Sequence, residues 1–144
     1  MKIAVVHGVN LNFTGTREPS VYGLRTLEDI NASIQAAADG LGCSLAFFQS
    51  NIEGEIVNFL QQCYHNKTDG VVINPGAFTH YSYALHDAIA SIGIPAIEVH
   101  LSNIHRREEF RRNSVVAPVC AGQICGLGAY GYVLAIMALI HNKE

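Results

Sequence analysis

The chain has 144 residues and a formal net charge of −3, which fits one domain with a substantial hydrophobic core. Hydrophobic residues make up 49% of it and charged residues only 15%, a balance that excludes an intrinsically disordered chain. The one basic cluster, at 106–112, is interleaved with acidic residues, so we expect no nucleic-acid partner.

The cysteines and the apolar segments predict the cellular compartment of the protein. None of the four cysteines forms a C-x-x-C pair, and no spacing suits zinc, so we expect free thiols in a reducing compartment. No apolar stretch is long enough to cross a membrane, and the run after Met1 is too short for a signal peptide. We therefore expect a cytoplasmic protein with no membrane partner.

Five short apolar runs alternate with segments of helical periodicity. The predicted strands are 2–7, 44–48, 69–73, 94–99 and 115–124, the last of them interrupted by Pro118. Apolar residues recur on one helical face within 30–41, 56–63, 84–92 and 133–140. This alternation predicts a parallel sheet with helices on both faces. Five strands in a chain of this length favour a flavodoxin-like, doubly wound α/β fold with strand order 2-1-3-4-5.

Three helix starts carry capping signals. Thr26 and Asp29 have the spacing of a capping box, and Ser50 with Glu53 has a similar spacing before the second helix. Thr79 is a candidate cap for the third helix. The charged segment 103–113 is predicted to be a connection of one helical turn between the last two strands.

Residues 8–25 lack any periodicity and are predicted to form a long loop. Arg17, Glu18 and Tyr22 lie in it between Gly15 and Gly23, which are candidate hinges. A structureless loop of this length in a compact domain is usually functional. We therefore expect one domain spanning 1–144 with a lid at about 13–25.

Polar side chains follow four of the five predicted strands. Because the carboxyl ends of parallel strands open onto one crevice, we expect these groups to converge on a ligand. The polar groups are Asn10 and Asn12, then Gln49, Ser50 and Asn51, then Asn74 and His80, and finally His100, Ser102 and Asn103.

The expected crevice is rich in amides, hydroxyls and imidazoles, which suits a polyhydroxylated ligand. Arg17 and Arg111 suit a carboxylate or a developing oxyanion. The chain has neither a pair of catalytic carboxylates nor a G-x-S-x-G elbow, so glycosidase and serine-hydrolase chemistry fit poorly. A metal held by Glu98, His100 and His105 is an open alternative, although His105 need not face the other two.

Several motifs occur in order and together resemble type II 3-dehydroquinate dehydratases over nearly the whole chain. They are GVNLN (8–12), GTREPSVYG (15–23), TLEDI (26–30), FQSNIEGE (48–55), INPGAFTHYSYAL (73–85), IPAIEVHLSNIHRREEFR (94–111) and ICGLGAYGY (124–132). The resemblance implies a lyase that converts 3-dehydroquinate into 3-dehydroshikimate through an enolate, without cofactor or metal.

The resemblance also implies residue roles. Tyr22 matches the base that removes the proton next to the ketone, and Arg17 matches the arginine that activates it. His100 matches the acid that protonates the departing hydroxyl, and Glu98 matches the residue that orients this histidine. Asn10 matches an amide that holds a water against the enolate oxygen.

Six further positions match substrate-binding residues: Asn74, His80, Asp87, Leu101, Ser102 and Arg111. Of these, Asp87 matches a position near a subunit boundary, because the family forms trimers arranged into dodecamers, and the same assembly is expected here. The reaction serves both aromatic amino acid biosynthesis, through the shikimate pathway, and quinate catabolism, and the sequence does not choose between them.

The chain departs from the family pattern at two positions. Val9 stands where the family usually has proline, and His86 stands where arginine is common. The first bears on the rigidity of the loop that enters the lid, and the second on the contact near Asp87. The competing hypothesis is a non-catalytic flavodoxin-like module that binds a small polyol acid.

Overall fold

A computed structural model describes residues 1–143 and contains one five-stranded parallel sheet in the order β2-β1-β3-β4-β5. The predicted fold class and strand order are thereby confirmed. The strands are β1 (Lys2–His7), β2 (Ser44–Gln49), β3 (Gly70–Asn74), β4 (Ala96–His100) and β5 (Gly122–Cys125).

Five helices cover the sheet: α1 (Pro19–Tyr22), α2 (Leu27–Gly40), α3 (Glu53–His65), α4 (Tyr83–Ile92) and α5 (Tyr130–Lys143). Side chains alternate along a strand, so Ile3 and Val5 face the core under α2 and α5 while Ala4 and Val6 face the core under α3 and α4. The three central strands are almost wholly buried, which explains their continuous apolar runs. Among the described residues no helix is long and apolar enough to span a membrane.

The last strand is shorter than the sequence predicts. Residues Ala117–Val119 form a 3-10 turn that contains Pro118, and β5 begins only at Gly122. Proline lacks the N–H that a strand needs for its ladder, so the pairing starts after it. The connection before it also differs from one helical turn, because it contains two, Ile104–Arg106 and Glu109–Arg112.

Only one of the three predicted helix caps is confirmed. Thr26 accepts from the backbone N–H of Asp29 while Asp29 accepts from that of Thr26, a complete capping box. The assignment of Ser50 is wrong, because α3 has no side-chain cap and the Ser50 hydroxyl bonds Glu55 instead. Thr79 is also not a cap. Ser82 caps α4 by accepting from Leu85 N–H at 3.0 Å.

The segment 8–25 has more local structure than the sequence predicts. A 3-10 turn covers Leu11–Phe13 and the single-turn helix α1 covers Pro19–Tyr22. Gly15, with a φ of 89°, lies so close to the backbone carbonyls of Leu24 and Arg25 that a Cβ there would clash. The segment therefore folds back on itself, and it brings Tyr22 against the core under α2 and α5.

Candidate active site

A cavity of about 150 Å³ opens at the carboxyl ends of β1, β3 and β4. The segment 13–25, with Arg17 and Tyr22, closes one side of it, and the chain after β4 closes the other. This is the crevice position expected for a doubly wound sheet. Of the residues singled out in the sequence, those that line it are Asn10, Arg17, Tyr22, Asn74, His80, His100, Leu101, Ser102 and Arg111.

Two guanidinium groups converge on the phenolic oxygen of Tyr22. Nη2 of Arg17 donates to it at 3.1 Å and Nη1 of Arg107 donates to it at 2.7 Å. The same two cations lie over the tyrosine ring, at 4.8 and 5.2 Å from its centroid. Both are also 3.5 Å from the Glu18 carboxylate, which holds them together despite their like charge. Two charged N–H groups from segments far apart in sequence therefore point at one phenolic oxygen.

On the other side of the cavity His100 and Glu98 form a buried pair at the end of β4. Nε2–H of His100 donates to Glu98 Oε1 at 2.6 Å, and the Glu98 side chain is fully buried. The hydroxyl groups of Thr79 and Ser114 also bond this carboxylate, the latter at 2.9 and 3.0 Å from its two oxygens. Burial opposes ionisation of Glu98, but the bond and charge of His100 and the two hydroxyls hold its pKa below the usual value.

Asn74 and the residues after β4 supply polar groups between these two clusters. The Asn74 Oδ1 accepts from Gly76 N–H at 3.1 Å, which turns the carboxamide towards the cavity at the start of the next 3-10 turn. Ser102 is buried beside His100. Arg111 reaches into the cavity from the 3-10 turn Glu109–Arg112 and pairs with Glu108. His80 bonds the carbonyl oxygen of Asn113, and burial lowers its pKa from the usual value.

Comparison with known proteins accounts for this arrangement. A family model described as dehydroquinase class II matches residues 1–140. The chain belongs to this family. It is 60% identical to a 3-dehydroquinate dehydratase of Clostridium acetobutylicum over 96% of both chains. It is 59% identical to one of Pelotomaculum thermopropionicum over 96% of this chain and 95% of the relative.

Solved structures agree with the sequence relatives. A type II dehydroquinase from Butyrivibrio crossotus is 50% identical, with a TM-score of 0.96 over 97% of each chain. One from Propionibacterium acnes is 41% identical, with a TM-score of 0.93 over 97% of this chain and 96% of that one. The predicted family, its fold and its enzyme class are confirmed.

Within this class II dehydroquinase, strand β2 supports the cavity rather than lining it. The sequence predicted that Gln49, Ser50 and Asn51 converge there, but none of them lines the cavity. Instead Asn51 Oδ1 accepts the backbone N–H of Asn10 at 2.8 Å and the Gln49 side chain at 3.2 Å. These contacts hold the tight turn that carries Asn10.

That turn has the geometry of type II. The N–H of Leu11 donates to the carbonyl of Gly8, and Asn10 has φ 66° and ψ 1°, a left-handed conformation that asparagine tolerates well. Gly8 is required at its start, since a Cβ there would lie 2.2 Å from the carbonyl oxygen of Pro75. Val9 thus occupies the position at which proline is favoured in such turns.

Asp87 does not reach the cavity of its own chain. It lies exposed on α4, and it is not among the residues that line the cavity. Tyr81, Tyr83 and Tyr130 are also exposed, each by at least 59% in the single chain.

Arg107 is the functional candidate that sequence analysis missed. The cluster at 106–112 has acidic residues between its arginines, a pattern typical of a solvated helical turn. Arg106 and Arg112 are indeed exposed, but the Arg107 side chain is only 13% exposed and points into the cavity. No periodicity distinguishes it from its neighbours. Only its position inside a family motif offered a signal.

The alternative of a metal site finds no support in the geometry of the described chain. Among residues 1–143 no three His, Cys, Asp or Glu side chains are grouped so that they could hold an ion. His105 is exposed and lies outside the cavity lining, away from the pair formed by Glu98 and His100.

Proposed function

We propose that the chain dehydrates 3-dehydroquinate to 3-dehydroshikimate with Tyr22 as the base and His100 as the acid. One observation carries the proposal. A phenol that accepts from two guanidinium groups and an imidazole that donates to a buried carboxylate open into the same cavity. Removal of a proton and of a hydroxyl from neighbouring carbons needs such a base and such an acid at two sides of one ligand.

In the first step the ionised Tyr22 oxygen takes the proton from the carbon next to the ketone. The electron pair of that C–H bond moves onto the carbonyl oxygen and gives an enolate. Arg17 and Arg107 stabilise the phenolate before the transfer, because each donates a charged N–H to its oxygen. Asn10, at the tip of its turn in the cavity wall, would hold a water against the enolate oxygen.

In the second step the enolate collapses and the C–O bond to the departing hydroxyl breaks. His100 donates a proton to that hydroxyl, so the leaving group is water. Glu98 orients the imidazole and stabilises its protonated form through the 2.6 Å bond to Nε2. Tyr22 ends the cycle protonated and His100 ends it neutral, and exchange with solvent restores both.

Polar residues of the wall would hold the substrate between the two clusters. Arg111 presents a guanidinium that matches a carboxylate, at the cost of its present pairing with Glu108. Asn74, His80 and Ser102, with the backbone at Leu101, offer donors and acceptors to the ring hydroxyls. We further propose that residues 13–25 act as a lid, because Arg17 and Tyr22 complete the cavity only from that segment.

We also propose a trimer-based assembly, by analogy with the family, in which Asp87 of one subunit acts at the cavity of another. Its exposure on α4, together with that of Tyr81 and Tyr83 nearby, supports a contact surface there. Sedimentation velocity tests this, with a dodecamer as the expected species and a monomer as the contradicting one. The four free cysteines support a location in the cytoplasm.

The activity is tested by following the absorbance of the conjugated enone after purified protein is added to 3-dehydroquinate. We expect a rise that EDTA leaves unchanged. Saturable binding of the substrate without any rise would instead identify a binding module. A rise that the chelator abolishes would contradict the metal-free mechanism.

A further inference from the structure

A chain of buried polar groups lies beneath the cavity, between α2, β1 and α5. His7, the last residue of β1, is fully buried, and both of its ring nitrogens are bonded. Nε2 is 2.8 Å from Asn31 Oδ1 on α2, and Nδ1 is 3.0 Å from the Tyr132 hydroxyl on α5. Tyr132 is also fully buried. No step of the proposed reaction uses these groups.

The direction of the hydrogen bonds follows from the one group that only accepts. Asn31 Oδ1 is an acceptor, so Nε2 of His7 must carry the proton and donate it. Burial lowers the pKa of His7 to about 4, so the ring is neutral and its Nδ1 accepts. The Tyr132 hydroxyl therefore donates to Nδ1, and its oxygen is left free to accept.

The polar group nearest to that oxygen on the sheet is Asn74. His7 and Asn74 are direct neighbours in the β1–β3 ladder, so their side chains lie on the same face of the sheet. The Tyr132 hydroxyl, bonded to His7 on that face, therefore lies on the side of the sheet that carries the Asn74 carboxamide. Burial raises the pKa of Tyr132, and the neighbouring Asn74 side chain weakly opposes this rise. Since Asn74 Oδ1 already accepts from Gly76 N–H, the group that faces Tyr132 is the Asn74 amide nitrogen.

We infer that Tyr132 and His7 are positioning residues that fix the Asn74 carboxamide for the substrate. In this arrangement the Tyr132 oxygen is the acceptor for one N–H of the amide, and the other N–H is left for the cavity that Asn74 lines. At its other end this row of hydrogen-bonded side chains stops at Asn31, which is half-buried on α2. The inference rests on the proposed function, because Asn74 matters to catalysis only if the substrate occupies this cavity.

A core network of this kind has a structural role as well, so the test must separate the two. Tyr132→Phe removes the hydroxyl and keeps the ring in its place. If Tyr132 acts through Asn74, the variant lowers kcat/KM about tenfold, which is the scale of one directed hydrogen bond. In an Asn74→Ala background the same substitution then changes kcat/KM less than about twofold, because the group that Tyr132 positions is gone.

Ile136→Val is the matched control. Ile136 is fully buried one turn further along α5, but its side chain has no group that can form a hydrogen bond with the network. It should lower the unfolding temperature while leaving kcat/KM unchanged in both backgrounds. His7→Leu provides a second variant that removes the acceptor of Tyr132 from the far side. It should show the same dependence on Asn74, and it keeps the test decisive if Tyr132→Phe does not fold.

The outcomes separate the inference from the function on which it rests. Loss of kcat/KM that disappears in the N74A background supports positioning. Equal losses in both backgrounds, or no loss in the folded variants, would overturn it while wild-type turnover keeps the proposed function intact. A wild type without turnover would overturn the proposed function and the inference with it.

Discussion

The two halves of the candidate site, the base side with the proposed base Tyr22 and the acid side with the proposed acid His100, are built in opposite ways. The base side consists of long side chains from two segments far apart in sequence, 17–22 and 107, and Arg17 and Glu18 in it are 33% and 53% exposed. The acid side is built into the end of β4, where the side chains of Glu98 and His100 are 0% and 7% exposed.

This difference assigns different physical tasks to the two halves. A buried carboxylate needs several fixed donors, and Thr79, Ser114 and His100 supply them from a rigid sheet and its flanking turns. The Tyr22 oxygen, by contrast, accepts from guanidinium groups on flexible stems, one of them in the segment 13–25 that we propose as a lid. The acid side is therefore preorganised, while the base side depends on the position of the proposed lid.

The largest effect is expected for the base itself. Tyr22→Phe should lower kcat by at least about a thousandfold, because the variant lacks the oxygen on which both guanidinium groups converge, while substrate binding measured by calorimetry persists. Tyr64→Phe is the matched control, since Tyr64 is exposed on α3 and outside the cavity. A Phe variant with near-normal turnover would show that the base is another residue.

Removal of Arg107 tests whether the base side needs both cations. Arg107→Ala should lower kcat about a hundredfold, since it removes the shorter of the two charged bonds to the Tyr22 oxygen. Arg106→Ala removes an exposed charge one position earlier and should leave kcat unchanged. If both variants behave alike, the Arg107 contact has no catalytic role.

The buried residue His7, beneath the cavity, should make the stability of the protein depend on pH. Burial lowers the pKa of His7 from 6.5 to about 4. Between these two pH values the unfolded chain therefore binds more protons than the folded one, and the free energy of unfolding falls as the pH drops. The loss should reach ~2 kcal/mol between pH 7 and pH 5. The groups that face the ring are Asn31, Tyr132 and Phe47, all uncharged. Urea unfolding of His7→Asn should show a shallower loss, whereas an equal slope would contradict the assignment.

Removing a hydroxyl group that supports Glu98 on the acid side should have a moderate effect. Thr79→Val removes one hydroxyl from Glu98, so the pKa of that carboxyl should rise towards its usual range. Because a lowered carboxyl pKa stabilises the fold at neutral pH, the variant should lose activity and stability at a higher pH than the wild type does. At neutral pH we expect about a tenfold loss of kcat. If the acid limb of the pH–rate profile is unchanged, the Thr79 hydroxyl does not lower the pKa of Glu98.

The smallest effect is expected at the turn that carries Asn10. Val9→Pro suits the second position of a type II turn, so it should stabilise the protein by ~0.5 kcal/mol through the unfolded chain. Thermal unfolding would measure the gain, with turnover unchanged. A loss of activity would show that the valine serves the lid in some other way.

The sequence was a good guide wherever the signal was local. The Thr26–Asp29 box and the strand bounds of Lys2–His7 follow from residues that touch each other along the chain. Thr79 shows where local patterns fail. Its position before a helix suits a cap, yet its hydroxyl turns to a carboxylate 19 positions away, because a buried charge needs that donor more than the helix does.

The family motifs predicted the fold and the reaction, and they named most of the residues that line the cavity. The order of the apolar runs and the positions of Tyr22 and His100 are properties of the chain itself. Three features needed the tertiary structure: the second guanidinium at Tyr22, the support of Asn10 by β2, and the bond from His7 to Tyr132 that we propose extends to Asn74. Each joins segments between 41 and 125 positions apart. Contacts of that range arise only when the sheet and its helices have assembled, since no local pattern records which distant group will lie within bonding distance.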